Sequence, residues 1–237
     1  MGIFVGVDPG KLGFTFEIDE LTGKFLRADP QPLIGDGKGD TFDLHAMRRT
    51  ILRWKEQGVV LVVLEELRPP GGRRASAQTA WIQCLGYQAW KAMLAALEVR
   101  CVLQTKDKMK KGMGVPTPAR APKKPEPKKP EGSRPRRPGK KAAAEKFKEW
   151  QEACAEWDKK QAKYAEAMKA WTKADAARRT KNQKLAKLEA VKTAQQYFPG
   201  VDFKRTPRCK VPDDNKCEAA LYALLASRLD PKIVRSA

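Results

Sequence analysis

Apolar residues open the chain as a β-branched run, residues 3–7 (IFVGV), which ends at Asp8. Over 14–18, Phe14, Phe16 and Ile18 alternate with Thr15 and Glu17, the period of a strand with one buried face, and 24–27 forms a third short run. Three such segments in succession predict an antiparallel meander. Asp43 stands where an N-cap belongs, ahead of a helical pattern that reaches Gln57 and stops at Gly58. Residues 59–64 (VVLVVL) are the most apolar stretch of the chain and read as a strand buried on both faces; this strand also runs into acids, Glu65 and Glu66. A second long helix is predicted over 76–97, with Trp81, Tyr87 and Trp90 as core or dimer contacts, followed by a short strand over 100–104. The last helix is opened by Asp213 or Asp214 and extends to Leu229. The pattern predicts an α/β fold, a mixed sheet flanked by helices.

Composition divides what periodicity leaves undivided. Lys plus Arg outnumber Asp plus Glu by 48 to 28, a net charge of +20, and residues 106–195 hold 27 of the basic residues against 11 acids. Within that segment, 115–141 carries eight prolines, ten basic residues and two acids, a composition that favours extended, polyproline-like chain over a buried core. It is expected to be a disordered or semi-extended linker. Residues 142–172 have no Gly or Pro, and Trp150, Trp157, Tyr164 and Trp171 recur every seventh position. Phe147, Cys154 and Met168 precede three of them by three residues, making a heptad stripe interrupted at Gln161. Such a stripe predicts a helix packed on the body of the protein or on another protein, a second copy included. Residues 172–184 lose the stripe, so a bend is expected there, before a further helical run over 185–198 that Pro199-Gly200 stops. The expected organisation is a core made of 1–114 and 185–237, a linker over 115–141 and an inserted helix over 142–184.

The charge selects a polyanionic partner, of which nucleic acid is the commonest. No apolar run is long enough for a membrane span, and the first residues lack the pattern of a signal peptide. Five cysteines without a CxxC pair, and a single histidine far from Cys209 and Cys217, argue against a zinc site. A reduced, DNA-containing compartment such as the cytoplasm is expected, and not secretion.

The acids then acquire a meaning. Asp8 follows the first strand, Glu65 follows the apolar strand, and Asp213, Asp214 and Glu218 lie in the first turns of the last helix. At the carboxyl ends of neighbouring strands such groups converge on one crevice. Gathered carboxylates with no His or Cys call for a hard cation, Mg²⁺ with Mn²⁺ as its substitute, and two such ions would suit phosphodiester hydrolysis. On a helix Asp214 lies about 40° from Glu218, so both can face one metal. Asp213 is then an N-cap or a ligand at a frayed end.

Three blocks, VGVDPGKLGFTF from Val5, VVLEELRPPGG from Val62 and VPDDNKCEAALYALLA from Val211, resemble the signature blocks of the RuvC-type Holliday-junction resolvases, in particular their phage and organellar branch. SAQTAWIQCLGYQAWKAML, TKDKMKKGMG and AQQYFPGVDFKRTPRC resemble further segments of that family, in the same order. The resemblance covers roughly 1–114 and 185–230. It implies an RNase H-like fold, a homodimer, and Mg²⁺-dependent paired nicks in four-way DNA junctions. By position it implies Asp8, Glu65 and Glu218 as metal ligands, with Asp213 or Asp214 as the upstream partner acid, since some relatives place that acid where this chain has Asn215. It also implies Lys110 near the scissile phosphate, with Lys111 beside it. Arg68, Arg73 and Arg74, around Pro69-Pro70-Gly71-Gly72, suit a loop that grips DNA. Relatives lack the segment of about 70 residues over 115–184. Alternatives in the same chemistry are cleavage of other branched DNA or of an RNA–DNA hybrid, or a junction-binding protein without activity. GVDPGKLG also resembles a phosphate loop of actin-like ATPases, but the second such loop is missing.

Overall fold

A computed structural model describes residues 2–35, 40–67, 77–139 and 143–229. The alternation near the start becomes β1 (Ile3–Val7), β2 (Phe14–Asp19) and β3 (Phe25–Pro30), joined antiparallel as expected. Two short strands, β4 (Leu33–Ile34) and β5 (Thr41–Phe42), pair separately. Helix α1 (Leu44–Glu56) starts at Asp43, whose side chain accepts from the Ala46 N–H. Strand β6 (Val59–Glu65) then joins β1 in parallel, α2 (Ala77–Ala96) follows, and β7 (Cys101–Gln104) extends the parallel half. The sheet order is β3-β2-β1-β6-β7, a five-stranded mixed sheet. Helices α3 (Lys106–Gly112), α4 (Ala144–Tyr197) and α5 (Asp214–Arg228) complete the described elements. Among the described residues no helix is long and apolar enough to cross a membrane.

Two compact units divide the chain: Met1–Thr117 with Ala186–Ala237, and Pro118–Leu185. In the first unit each face of the sheet has its own core. Val5, Val7, Val62 and Leu64 meet Met47, Ile51 and Trp54 of α1 and Trp90 and Leu94 of α2, with the Trp54 and Trp90 rings stacked at 5.5 Å. Phe14, Phe16, Ile18, Leu61 and Val63 meet α5, Met109 of α3 and the last turns of α4. Of the aromatic residues on α2, Tyr87 and Trp90 are buried, whereas Trp81 is exposed.

The approach of α5 to the sheet is set at one residue. A Cβ on Gly6 would lie 2.1 Å from the Ala219 carbonyl oxygen and 2.3 Å from the Ala223 backbone nitrogen. Only a residue without a side chain lets the helix backbone rest on β1 in this way. Because side chains alternate along a strand, Asp8 continues the side of Phe4 and Gly6, and Glu65 continues the side of Leu61 and Val63. Both carboxylates therefore emerge on the face that α5 covers.

In the second unit the expected bend is absent. Helix α4 is continuous through 172–184, because the heptad spacing persists with polar residues at its positions. Asp175, Arg178 and Asn182 continue the register; Arg178 pairs with Asp175 at 2.7 Å, and Asn182 Oδ1 accepts from the Ala121 N–H at 3.1 Å. The aromatic stripe is not left open for a partner either. Trp171 Nε1–H donates to the Lys124 carbonyl and Trp150 Nε1–H to the Pro135 carbonyl, both at 3.1 Å. The proline-rich segment thus lies along the helix in the opposite direction. Eleven residues of polyproline rise span about 34 Å, and the matching twenty-one helical residues span about 32 Å. These equal lengths are why both indoles find a carbonyl.

Gly6→Ala should destabilise the protein by about 1–3 kcal/mol, since the added carbon meets backbone rather than a movable side chain. In thermal melts this should appear as a fall of several degrees, at roughly 2–4 °C per kcal/mol. Gly139→Ala, where an added Cβ meets nothing within 4 Å, should leave the melting temperature within a degree or so.

Candidate metal centre

Three buried carboxylates meet above the sheet. Asp8 directly follows β1, Glu65 is the last residue of β6, and Glu218 lies on the second turn of α5. One oxygen from each can be chosen such that all three lie within 4.8 Å of one another. Parallel pairing of β1 with β6 brings the first two side by side, and the contact at Gly6 brings the third over them.

The loop after β1 fixes Asp8 from several directions. The Gly10 N–H donates to Asp8 Oδ1 at 3.1 Å. Asp8's own N–H donates to the Phe14 carbonyl at 3.0 Å, which closes the loop. Gln31 Nε2–H donates to the Asp8 carbonyl at 2.6 Å, and Trp90 Nε1–H donates to Gln31 Oε1 at 2.7 Å. Any side chain on Gly13 would strike that same carbonyl, 2.0 Å from its Cβ. Asp8 is thereby placed by its backbone as well as by its carboxylate.

Like charges so close in a poorly solvated site need an opposing charge. Lys106, on α3, supplies one: its ammonium pairs with Glu218 and lies 3.9 Å from Glu65. Burial works against the ammonium, yet Glu218, Glu65 and Asp8 more than offset it, and its pKa is raised. One cation does not balance the cluster. Burial pushes Asp8 up to about 6 against the pull of Lys106, with Glu218 adding to the rise, and burial pushes Glu65 up to about 7. The Tyr222 hydroxyl, one turn beyond Glu218, is buried without a hydrogen-bond partner. Burial and the nearby charges of Glu65, Glu218 and Asp8 hold the proton on that oxygen.

The acids at the start of α5 divide differently. Asp213 is the N-cap: its Oδ1 accepts from the Asn215 and Lys216 N–H groups, and its Oδ2 accepts from Arg205 Nε at 2.6 Å. Both oxygens are committed to structure. Asp214 pairs with Lys187 and stays close enough to raise the Asp8 pKa further, but it lies outside the three-carboxylate group. Arg205 also donates to the Leu12 carbonyl, as Asn215 Nδ2 does at 3.1 Å, so the loop after β1 is tied to the cap of α5.

Lys110 lies one turn after Lys106, half-buried, and burial lowers its pKa; Lys111 is exposed. Arg68, Arg73 and Arg74 lie outside the described residues. Lys106 is the residue that sequence reasoning missed. Thr105 caps α3 by accepting from the Lys108 N–H, and residues four apart share a helix face. A helix read over 106–112 would have placed Lys106 beside Lys110.

The donor set suits a hard divalent cation. It holds only carboxylate oxygens, all on side chains at least nine-tenths buried. Cys217, one residue before Glu218, lies in the apolar core, and burial pushes its thiol up to about 12. No donor other than the Lys106 ammonium reaches the buried Glu218 oxygen among the described residues, and Tyr222 leaves a further polar atom unmatched.

No family model and no curated protein matches the sequence. Among solved structures, the chain is similar to T. thermophilus RuvC in complex with a Holliday junction substrate, at 12% identity and a TM-score of 0.34 over 48% of this chain and 70% of that one.

The raised carboxyls set a pH dependence. Between about pH 4 and pH 7 the folded protein holds protons on Asp8 and Glu65 that the unfolded chain has released, so their contribution to stability falls as pH rises through this window. A divalent cation binds the deprotonated form. Mg²⁺ or Mn²⁺ should therefore raise the melting temperature more at pH 8 than at pH 5, the stabilising free energy reaching about 2.7 kcal/mol at a hundred times the dissociation constant. In Asp8→Asn this metal-dependent rise should be largely lost.

Proposed function

We propose that this chain is a Mg²⁺-dependent, structure-selective endodeoxyribonuclease with an RNase H-like fold that cuts four-way DNA junctions as a homodimer. The observation that carries the chemistry is the convergence of Asp8, Glu65 and Glu218 to within 4.8 Å at the carboxyl ends of two parallel strands and on α5. The substrate class rests on the resemblance of the blocks around Asp8, Glu65 and Glu218 to the RuvC-type resolvases. Mn²⁺ is the natural substitute for Mg²⁺.

Asp8, Glu65 and Glu218 would hold the metal, with Asp214 next to them and one charge pair away from joining. Bound there, a pair of such ions supplies an activated water and neutralises charge on the phosphodiester oxygens. The chain's own groups do the rest. The hydrogen bonds to the Asp8 backbone and the packing of α5 fix the carboxylates before substrate arrives. The Lys106 and Lys110 ammonium groups lie on one face of α3 and stabilise the negative charge that builds up on the phosphate. Symmetric nicking of a junction needs two such sites, which two copies of the chain provide. Trp81, 67% exposed, and Leu85 one turn on, are apolar residues of α2 that a second copy could cover.

The test is a synthetic four-way junction with labelled arms, incubated with and without Mg²⁺. Paired nicks at symmetry-related positions are expected. Asp8→Asn and Glu218→Gln should each lower the nicking rate by at least about 10³-fold while leaving junction binding in EDTA within a few-fold, and Lys110→Met should cost about 10²-fold. Metal-dependent cutting of other branched DNA or an RNA–DNA hybrid in preference to the junction would move the substrate class. Junction binding without any metal-dependent nicking would make the protein a binding factor only.

A further inference from the structure

The unit Pro118–Leu185 has no part in the metal centre, yet it carries 21 of the 48 basic residues against nine of the 28 acids. Its proline segment is ordered along α4 in a specific way. Pro118, Ala121, Pro127, Pro130, Pro135 and Pro138 are the half-buried positions, mostly at multiples of three residues, the repeat of a polyproline helix. The eight basic residues between positions 120 and 137 are all exposed. Among the described residues only Arg134 of these eight has a carboxylate partner, Asp158 at 3.1 Å. Lys123 and Arg137 lie over the Trp171 and Trp150 rings instead.

The result is a stiff strap with prolines inward and cations outward. Seventeen steps of polyproline rise cover about 53 Å, so a cation recurs about every 7–8 Å on average along roughly one and a half turns of a B-form duplex. No large apolar side chain within the unit is exposed among the described residues. An amphipathic membrane helix or the centre of a protein interface would need such side chains. Stacking of unpaired bases needs free aromatic faces, but here the indoles of Trp150 and Trp171 are tied to the strap and each carries a cation over its ring.

We propose that Pro118–Leu185 binds duplex DNA independently of sequence, the strap presenting its lysines and arginines to the phosphate backbone. That the polyanion is DNA rests on the nuclease reading; the electrostatic surface does not. On this account the unit adds affinity for the arms of a substrate and takes no part in chemistry.

The test uses the full-length chain in EDTA, where nicking cannot occur. Binding to a linear 30-base-pair duplex is followed by fluorescence anisotropy over a range of salt, for the native protein and for Lys124→Gln/Lys128→Gln/Lys129→Gln/Arg136→Gln. Among the described residues none of these four side chains forms a hydrogen bond or an ion pair within the unit, so circular dichroism should show unchanged helix content. Since each phosphate contact contributes about 0.9 to the slope of log K against log salt, the variant's slope should be shallower by about three to four. An unchanged slope would overturn the proposal. So would a loss seen with a single strand of equal length or with anionic phosphatidylserine vesicles but not with the duplex. Failure of the junction-nicking test would leave a slope difference standing, so the two proposals fail separately.

Discussion

Three carboxylates repel one another, and the fold has to hold them together before any cation arrives. The constraint that does this is the contact of the α5 backbone with β1 at Gly6, where no atom stands between helix and strand. That contact fixes Glu218 above a pair of strands whose parallel register already aligns Asp8 with Glu65. Packing of Ala219, Ala220, Ala223 and Ala226, all buried along α5, keeps the helix flat on the sheet over its length. The apolar core thus offsets an electrostatic cost in the site, a common division of labour where function needs like charges side by side.

Within the site the cost is divided between a lysine and protons. Lys106 neutralises part of the cluster, and the rest shows as the upward displacement of Asp8 and Glu65. An ammonium is a directional donor that satisfies one or two oxygens, whereas a divalent ion accepts oxygens from several sides at once. Lys106 can therefore hold the acids in place without matching them. Asp214 illustrates the same economy at the edge of the cluster, where it is held by Lys187 rather than by the central lysine.

Much of this was readable in the sequence, for identifiable reasons. The meander follows from alternation, the buried β6 from an unbroken apolar run, and α5 from an N-cap ahead of an Ala- and Leu-rich segment. Asp8, Glu65 and Glu218 stood out because each terminates or opens such an element. The division between Asp213 and Asp214 was not readable, because it depends on Arg205, which reaches Asp213 from outside the helix. Lys106 was hidden because α3 is short and its neighbouring lysines look alike in sequence, while only its position on the helix brings it to the carboxylates.

The insert shows a more general limit. A heptad stripe says that a helix face is to be covered, but not by what, and the lost aromatics after Thr172 resemble an ending. Here the cover is the chain's own proline-rich segment, and the polar residues at the later heptad positions are the groups that bond to it or to each other. Two sequence features, read separately as a linker and as a helix face packed on the body or on another protein, are complementary halves of one structure. Prolines donate no backbone hydrogen bond, so carbonyls along the segment lack local partners, and those of Lys124 and Pro135 accept from the indole N–H groups of the helix. With those carbonyls taken on the inner side, the long basic side chains have only the outer side left, and the semi-extended segment presents a line of charge.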